Sequence, residues 1–196
     1  MNILFSLFLL LAPIKAESGH FTIYQDGKKI GAEDFSIAPQ QAGYLAQGHT
    51  LISINNQTFD IQSRMELDEK LSPTSYEFRS KTSVIRLKVG NPLSELEYTV
   101  DGKSEPHDIR FPSDGAIIDD NFFHHFLILL YRAGLSATSI PTFVPQQLTV
   151  GTLTIHPSGN HTFELETNNV KLIATTDSDG RLIRLTVPDA KVVVER

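Results

Sequence analysis

The sequence predicts a mainly β protein: a single curved antiparallel sheet, a half-barrel or open-barrel meander, wrapped around one central α-helix. Three observations lead there. Short runs with apolar residues at every second position recur along most of the chain, separated by turn-forming pairs. One dense apolar run, IIDDNFFHHFLILLYRAG (Ile117 to Gly134), breaks that alternation with a helical period. No stretch alternates strands with helices, which argues against a parallel α/β sheet.

The 196 residues suit one domain with a proper core, and a content of 40% hydrophobic and 20% charged residues argues against disorder. The formal charge is −6. A negative chain with no long basic run disfavours nucleic acid and anionic lipid as general partners.

At the N-terminus, the apolar run from Ile3 to Ala12 is followed by Pro13 and a small residue, Ala16. This reads as a signal peptide over residues 1–16, too short for a spanning helix of about 20 residues. A single β-rich domain over 17–196 follows, with no transmembrane span once the signal is removed. Without Lys15 the mature chain has 16 basic residues against 23 acidic ones, a charge of −7. The chain has no cysteine, which removes a lipobox, disulfides and thiolate metal sites. An exported, cysteine-free chain points to a bacterial periplasmic or secreted protein. The N-x-T sequons at Asn56 and Asn160 are read as turn residues.

Element by element, HFTIYQ runs into Asp26-Gly27, a hairpin signal. EDFSIAP, YLAQGHTLISI and QTFDIQSRMEL follow, the last two divided by Asn55-Asn56. TSYEFRS, SVIRLKV and SELEYTV come next, with Gly90-Asn91 and Asp101-Gly102 as turns. After the apolar run the alternation resumes in GTLTIH, HTFELET, VKLIATT, RLIRLTV and KVVVE. Tight turns between such strands build an antiparallel meander. LSATSIPTFVPQQ, Leu135 to Gln147, reads as a connector held extended in part by Pro141 and Pro145.

The apolar run predicts a helix at about 120–133. Asp119, Asp120 and Asn121 are good N-cap types, and Gly134 suits a left-handed C′ position. Phe122, Phe123, Phe126, Leu127, Leu129 and Leu130 share one broad face; His124, His125, Ile128, Tyr131 and Arg132 lie opposite. The phenylalanine face is expected to pack on the sheet, each large side chain contributing roughly 1.5–3 kcal/mol. The histidine flank is expected to be wetter.

Adjacent helical residues point about 100° apart, so His124 and His125 do not chelate together. Positions three and four beyond each are Leu127, Ile128 and Leu129, which hold no metal. Asp120 with His124, and Asn121 with His125, have the spacing to meet. A hydrolase using His124 or His125 with Asp119 or Asp120 is therefore the enzymatic alternative. No nucleophile elbow, zinc-protease motif, P-loop or dinucleotide fingerprint occurs. Neither metal nor cofactor is expected. Glu95, Glu97, Glu164 and Glu166 alternate along strands, as on a solvated face.

FTIYQDGKKIGAEDFSI, DDNFFHHFLILLYR and DGRLIRLTVPDAKVVVER together resemble exported bacterial β-rich proteins of the DUF3108-like and DUF6134-like class. That resemblance implies a distant architectural likeness to the half-barrel lipoprotein carriers LolA and LolB, which shelter acyl chains between sheet and helices. One helix instead of several, and no lipobox, set this chain apart from them.

The leading expectation is a non-enzymatic periplasmic protein that binds an apolar or amphipathic, lipid-like molecule, or an envelope partner protein, in a groove between sheet and helix. Phe122, Phe126, Leu130 and Phe143 are the expected lining. A third reading is an envelope assembly or scaffold protein that pairs through exposed sheet edges.

Overall fold

A computed structural model of the protein describes residues 15–134, 136–167 and 170–196. The signal peptide lies almost wholly outside the described residues. Before the helix come β1 (Glu17–Gln25), β2 (Lys28–Gln40), β3 (Gly43–Ile54), β4 (Gln57–Leu67), β5 (Pro73–Arg79), β6 (Ser83–Lys88), β7 (Ser94–Val100), β8 (Lys103–Ile109) and the two-residue β9 (Ala116–Ile117). Helix α1 (His124–Ala133) follows. Then come β10 (Thr138–Val144), a 3-10 turn (Pro145–Gln147), β11 (Thr149–Gly159), β12 (Thr162–Thr167), β13 (Val170–Thr176), β14 (Leu182–Val187) and β15 (Val192–Glu195).

All fifteen strands form one sheet. From β1 one wing runs through β2 to β8, and the other runs from β15 back to β9, so β8 and β9 are the edges. Every neighbouring pair is antiparallel except β9 with β10. Along most strands buried residues alternate with more exposed ones, as in β4, where Ile61, Ser63, Met65 and Leu67 face inward. Register shifts in the β1–β2, β4–β5, β11–β12 and β13–β14 pairs add the local bends that a curling sheet needs. The predicted hairpins are present: Asp26-Gly27, Asn55-Asn56 and Asp101-Gly102 all have positive φ at both positions, the geometry that follows strand twist.

The sheet is open and curls around α1. Seven successive helix residues, His124 to Leu130, are buried, and they join a core drawn from both wings. Where a helix is enclosed on all sides it has no wet flank. The expectation of a wetter histidine flank is therefore corrected over these turns: His124, His125 and Ile128 are 0%, 1% and 4% exposed, while Tyr131 and Arg132, near the end of the helix, are half-buried.

Three further differences have local causes. The helix begins at His124, not near 120, because residues 119–123 form turns closed by Phe122 N–H to Asp119 O at 3.0 Å and Phe126 N–H to Phe123 O at 3.1 Å. The expected connector at 135–147 contains strand β10 and the 3-10 turn. Pro141 is tolerated there because β9 pairs only with Thr142 and Phe143, leaving the rest of that side of β10 uncovered. Strand β8 is an edge strand rich in charge and carrying Pro106, a composition that also blunts edge pairing. At the far end the helix stops as predicted: Gly134 is left-handed (φ 58°) and its N–H donates to Tyr131 O at 3.1 Å.

Candidate functional site

The path of the chain decides where the interior is filled. Strand β9 runs parallel to β10, toward the end of the sheet that carries the β1–β2, β3–β4 and β14–β15 hairpins. The chain turns inward at Asp119–Phe123, and α1 returns along the interior to the opposite end. There the Tyr131 hydroxyl donates to Glu17, and Arg132 donates to the carbonyls of Gly115 (2.9 Å) and Asp114 (2.5 Å). The helix thus plugs one end. At the hairpin end a chamber of about 450 Å³ remains, within the range of small-molecule sites.

Ile30, Ile52 and Ile54 line one side of the chamber, Val170, Val187 and Val192 another, and Ile118, Phe123 and Phe126 its inner side. Ile54 and Val170 are 39% and 41% exposed at the rim. Polar groups are few: Gln25, Asp120, Asn121, Gln147 and Thr167. Asp120 is exposed, yet the surrounding walls and then the neighbouring Asp119 push its carboxyl above the usual range.

Behind the Phe123 wall lies a buried polar cluster. Glu33, 0% exposed, accepts the Phe123 N–H at 2.7 Å through Oε2, and its Oε1 is 2.5 Å from His124 Nδ1. Glu33 therefore takes the N-terminal capping role that Asp119–Asn121 were expected to fill. Burial pushes its carboxyl up to about 8, and the same cause pushes His124 and His125 down to about 3. Near neutral pH all three side chains favour their uncharged forms.

Asp119 ties the two wings together. Its Oδ2 accepts from the Tyr76 hydroxyl on β5 and from Gln146 Nε2 in the 3-10 turn. Its Oδ1 accepts the Asn121 backbone N–H at 3.0 Å and side-chain amide at 2.7 Å. The Thr50 hydroxyl donates to Asn121 O at 3.0 Å, and Tyr98 of β7 donates to Pro145 O across the same seam. The His124 and His125 rings pack edge to face at 4.6 Å, and Phe122 stacks on His125 at 5.8 Å. Gly48 leaves the space this needs: a Cβ there would sit 2.6 Å from His124 Cε1.

The sequence-predicted residues separate accordingly. Phe126 lines the chamber. Phe122 is enclosed by Phe78 and the two histidines, Leu130 is 1% exposed within the core, and Phe143 packs on Phe111 at the β9–β10 edge. Asp120 lines the chamber, whereas Asp119, His124 and His125 are buried away from it. Asp120 does not meet His124, whose hydrogen-bonding partner is Glu33. Glu33 went unnoticed in the sequence, although it stands in the inward register of β2 with Phe35 and Ile37.

A larger concavity of about 690 Å³ lies over the outer face of β4–β8. Its central charges answer one another: Glu77 pairs with Arg86 (2.8 Å), which reaches Glu97 (3.3 Å). That is a solvated, charged face with its central charges paired, so the apolar chamber is the stronger candidate. Among the described residues no cluster of three or more histidine or carboxylate groups suits a metal ion, and no helix is long and apolar enough to cross a membrane.

No family model and no curated protein matches the chain. Its fold is similar to the crystal structure of a DUF1089 family protein from Pseudomonas aeruginosa, at 12% identity and a TM-score of 0.52, over 93% of this chain and 94% of that one. The likeness is one of fold, to a bacterial protein of β-rich architecture.

Proposed function

We propose that this chain is a non-enzymatic protein of the bacterial envelope that shelters an amphipathic, lipid-like molecule in the chamber at the hairpin end of the sheet. One observation carries the reading: helix α1 fills only part of the space inside the curled sheet, leaving about 450 Å³ walled mainly by isoleucine, valine and phenylalanine. Apolar walls with a few polar groups at an open end favour a molecule with an apolar body and a polar head. The architectural kinship with DUF3108-like and DUF6134-like proteins and with the LolA and LolB half-barrels belongs to the same reading. Burial of His124 and His125 supports assigning them to packing, not hydrolysis.

Displacement of the neutral fluorophore N-phenyl-1-naphthylamine tests the function. The mature protein should enhance its fluorescence, and single-chain amphiphiles should displace it. Native mass spectrometry of protein from the periplasm should find a bound molecule that denaturation releases. Absence of both signals would refute the reading.

Export is part of the same proposal. Cleavage after Ala16 leaves Glu17, the first residue of β1, as the new N-terminus. Intact mass of the periplasmic fraction should start at Glu17; unprocessed protein retained in the cytoplasm would overturn this step.

A further inference from the structure

Among the described residues lining the chamber, Asp120 is the single ionisable side chain, and none is basic. We propose that the chamber selects single-chain amphiphiles with a cationic amine head, held by the Asp120 carboxylate, and discriminates against carboxylate heads; this rests on the binding reading above.

Three observations support the assignment. First, Asp120 makes no hydrogen bond or ion pair among the described residues, whereas the adjacent Asp119 is committed to Tyr76, Gln146 and Asn121. The Asp120 carboxylate is thus available at an apolar site, where a cationic donor is its strongest partner.

Second, the feature that would favour an anion is already answered inside the protein. A helix start facing a chamber ordinarily attracts negative charge. Here Glu33 accepts the Phe123 N–H and Asp119 accepts the Asn121 N–H, so two buried carboxyl groups already occupy these donors. An incoming carboxylate would meet the acidic side chain of Asp120, with Asp119 buried beside it in sequence, and no compensating base among the described lining residues.

Third, the size fits one chain. At about 30 Å³ for each water-sized group, the chamber holds roughly 15 non-hydrogen atoms. That matches an alkyl chain of about a dozen carbons with a small head. The Gln25 and Gln147 amides, also on the lining, supply neutral polar company for such a head.

The test compares dodecylamine, dodecanol and laurate as displacers of N-phenyl-1-naphthylamine from the mature protein at about pH 7, below their aggregation limits. Dodecylamine should act at a concentration about tenfold below laurate, the scale of one charge-assisted hydrogen bond. In Asp120→Asn, with folding checked by thermal melt, that ratio should collapse to about twofold or less. Laurate matching or surpassing dodecylamine, or an amine preference that survives in Asp120→Asn, overturns the head assignment alone. No displacement by any of the three overturns it together with the binding reading.

Discussion

Glu33 Oε1 and His124 Nδ1 lie 2.5 Å apart, with both side chains fully shielded from solvent. Because each is most stable uncharged, the pair links stability to pH in opposite directions. Glu33, raised from 4.5 to about 8, contributes fully below pH 4.5, and its contribution is lost as pH rises through 8. His124 and His125, lowered from 6.5 to about 3, contribute fully above pH 6.5 and lose that contribution as pH falls toward 3. Two histidines outweigh one carboxyl between pH 4.5 and 6.5, so the cluster's contribution peaks near 6.5. Urea unfolding across pH should follow that shape. Glu33→Gln should flatten the decline between 6.5 and 8 while keeping the acid limb; an unchanged alkaline limb would refute the assignment.

Asp119 joins β5, the 3-10 turn and the entry to α1 through one carboxylate. Asp119→Ala leaves the Tyr76 hydroxyl and the Gln146 and Asn121 donors without their acceptor, and should cost about 3 kcal/mol or more. Tyr76→Phe removes one donor and should cost about 1 kcal/mol. Since the two share a bond, denaturant midpoints of the double variant should show less than the summed loss.

Gly48→Ala should destabilise by about 1–3 kcal/mol, because its Cβ would press on the His124 ring and on Phe122 Cδ1, 2.9 Å away. Both neighbours are fully buried and have little room to retreat. A thermal melt equal to wild type would contradict this packing.

Chamber and core should separate in experiment. Leu130→Ala is expected to cost about 2–5 kcal/mol, yet the folded fraction should keep its affinity for the fluorophore. Val170→Trp, placed at the rim, should do the reverse: hold the melting temperature and block binding. Fluorescence titration alongside melting distinguishes the two, and equal binding by Val170→Trp and wild type would locate the ligand elsewhere.

What could be read before folding was local. Alternation at period two marks a strand within a few residues, and Asp26-Gly27, Asn55-Asn56 and Asp101-Gly102 specify the hairpins that place β1 beside β2, β3 beside β4 and β7 beside β8. Gly134 marks a helix end by the same local logic. Strand β10 escaped because Pro141 and Pro145 argue for a loop unless it is known that β9 covers only two residues of its neighbour. Strand β8 escaped because its charges and Pro106 hide the alternation that an edge does not require.

The sequence alone determined a meander of strands, one helix and a terminating Gly134, because those choices depend on backbone preferences and side-chain period over a few neighbours. Only the tertiary structure decided that Glu33, some 90 positions away, caps that helix, that the histidines are sealed in, and that Asp120 but not Asp119 opens to a chamber. A curling sheet brings distant residues of like register to one side, and whether a short helix fills the enclosed volume depends on the shape of the whole.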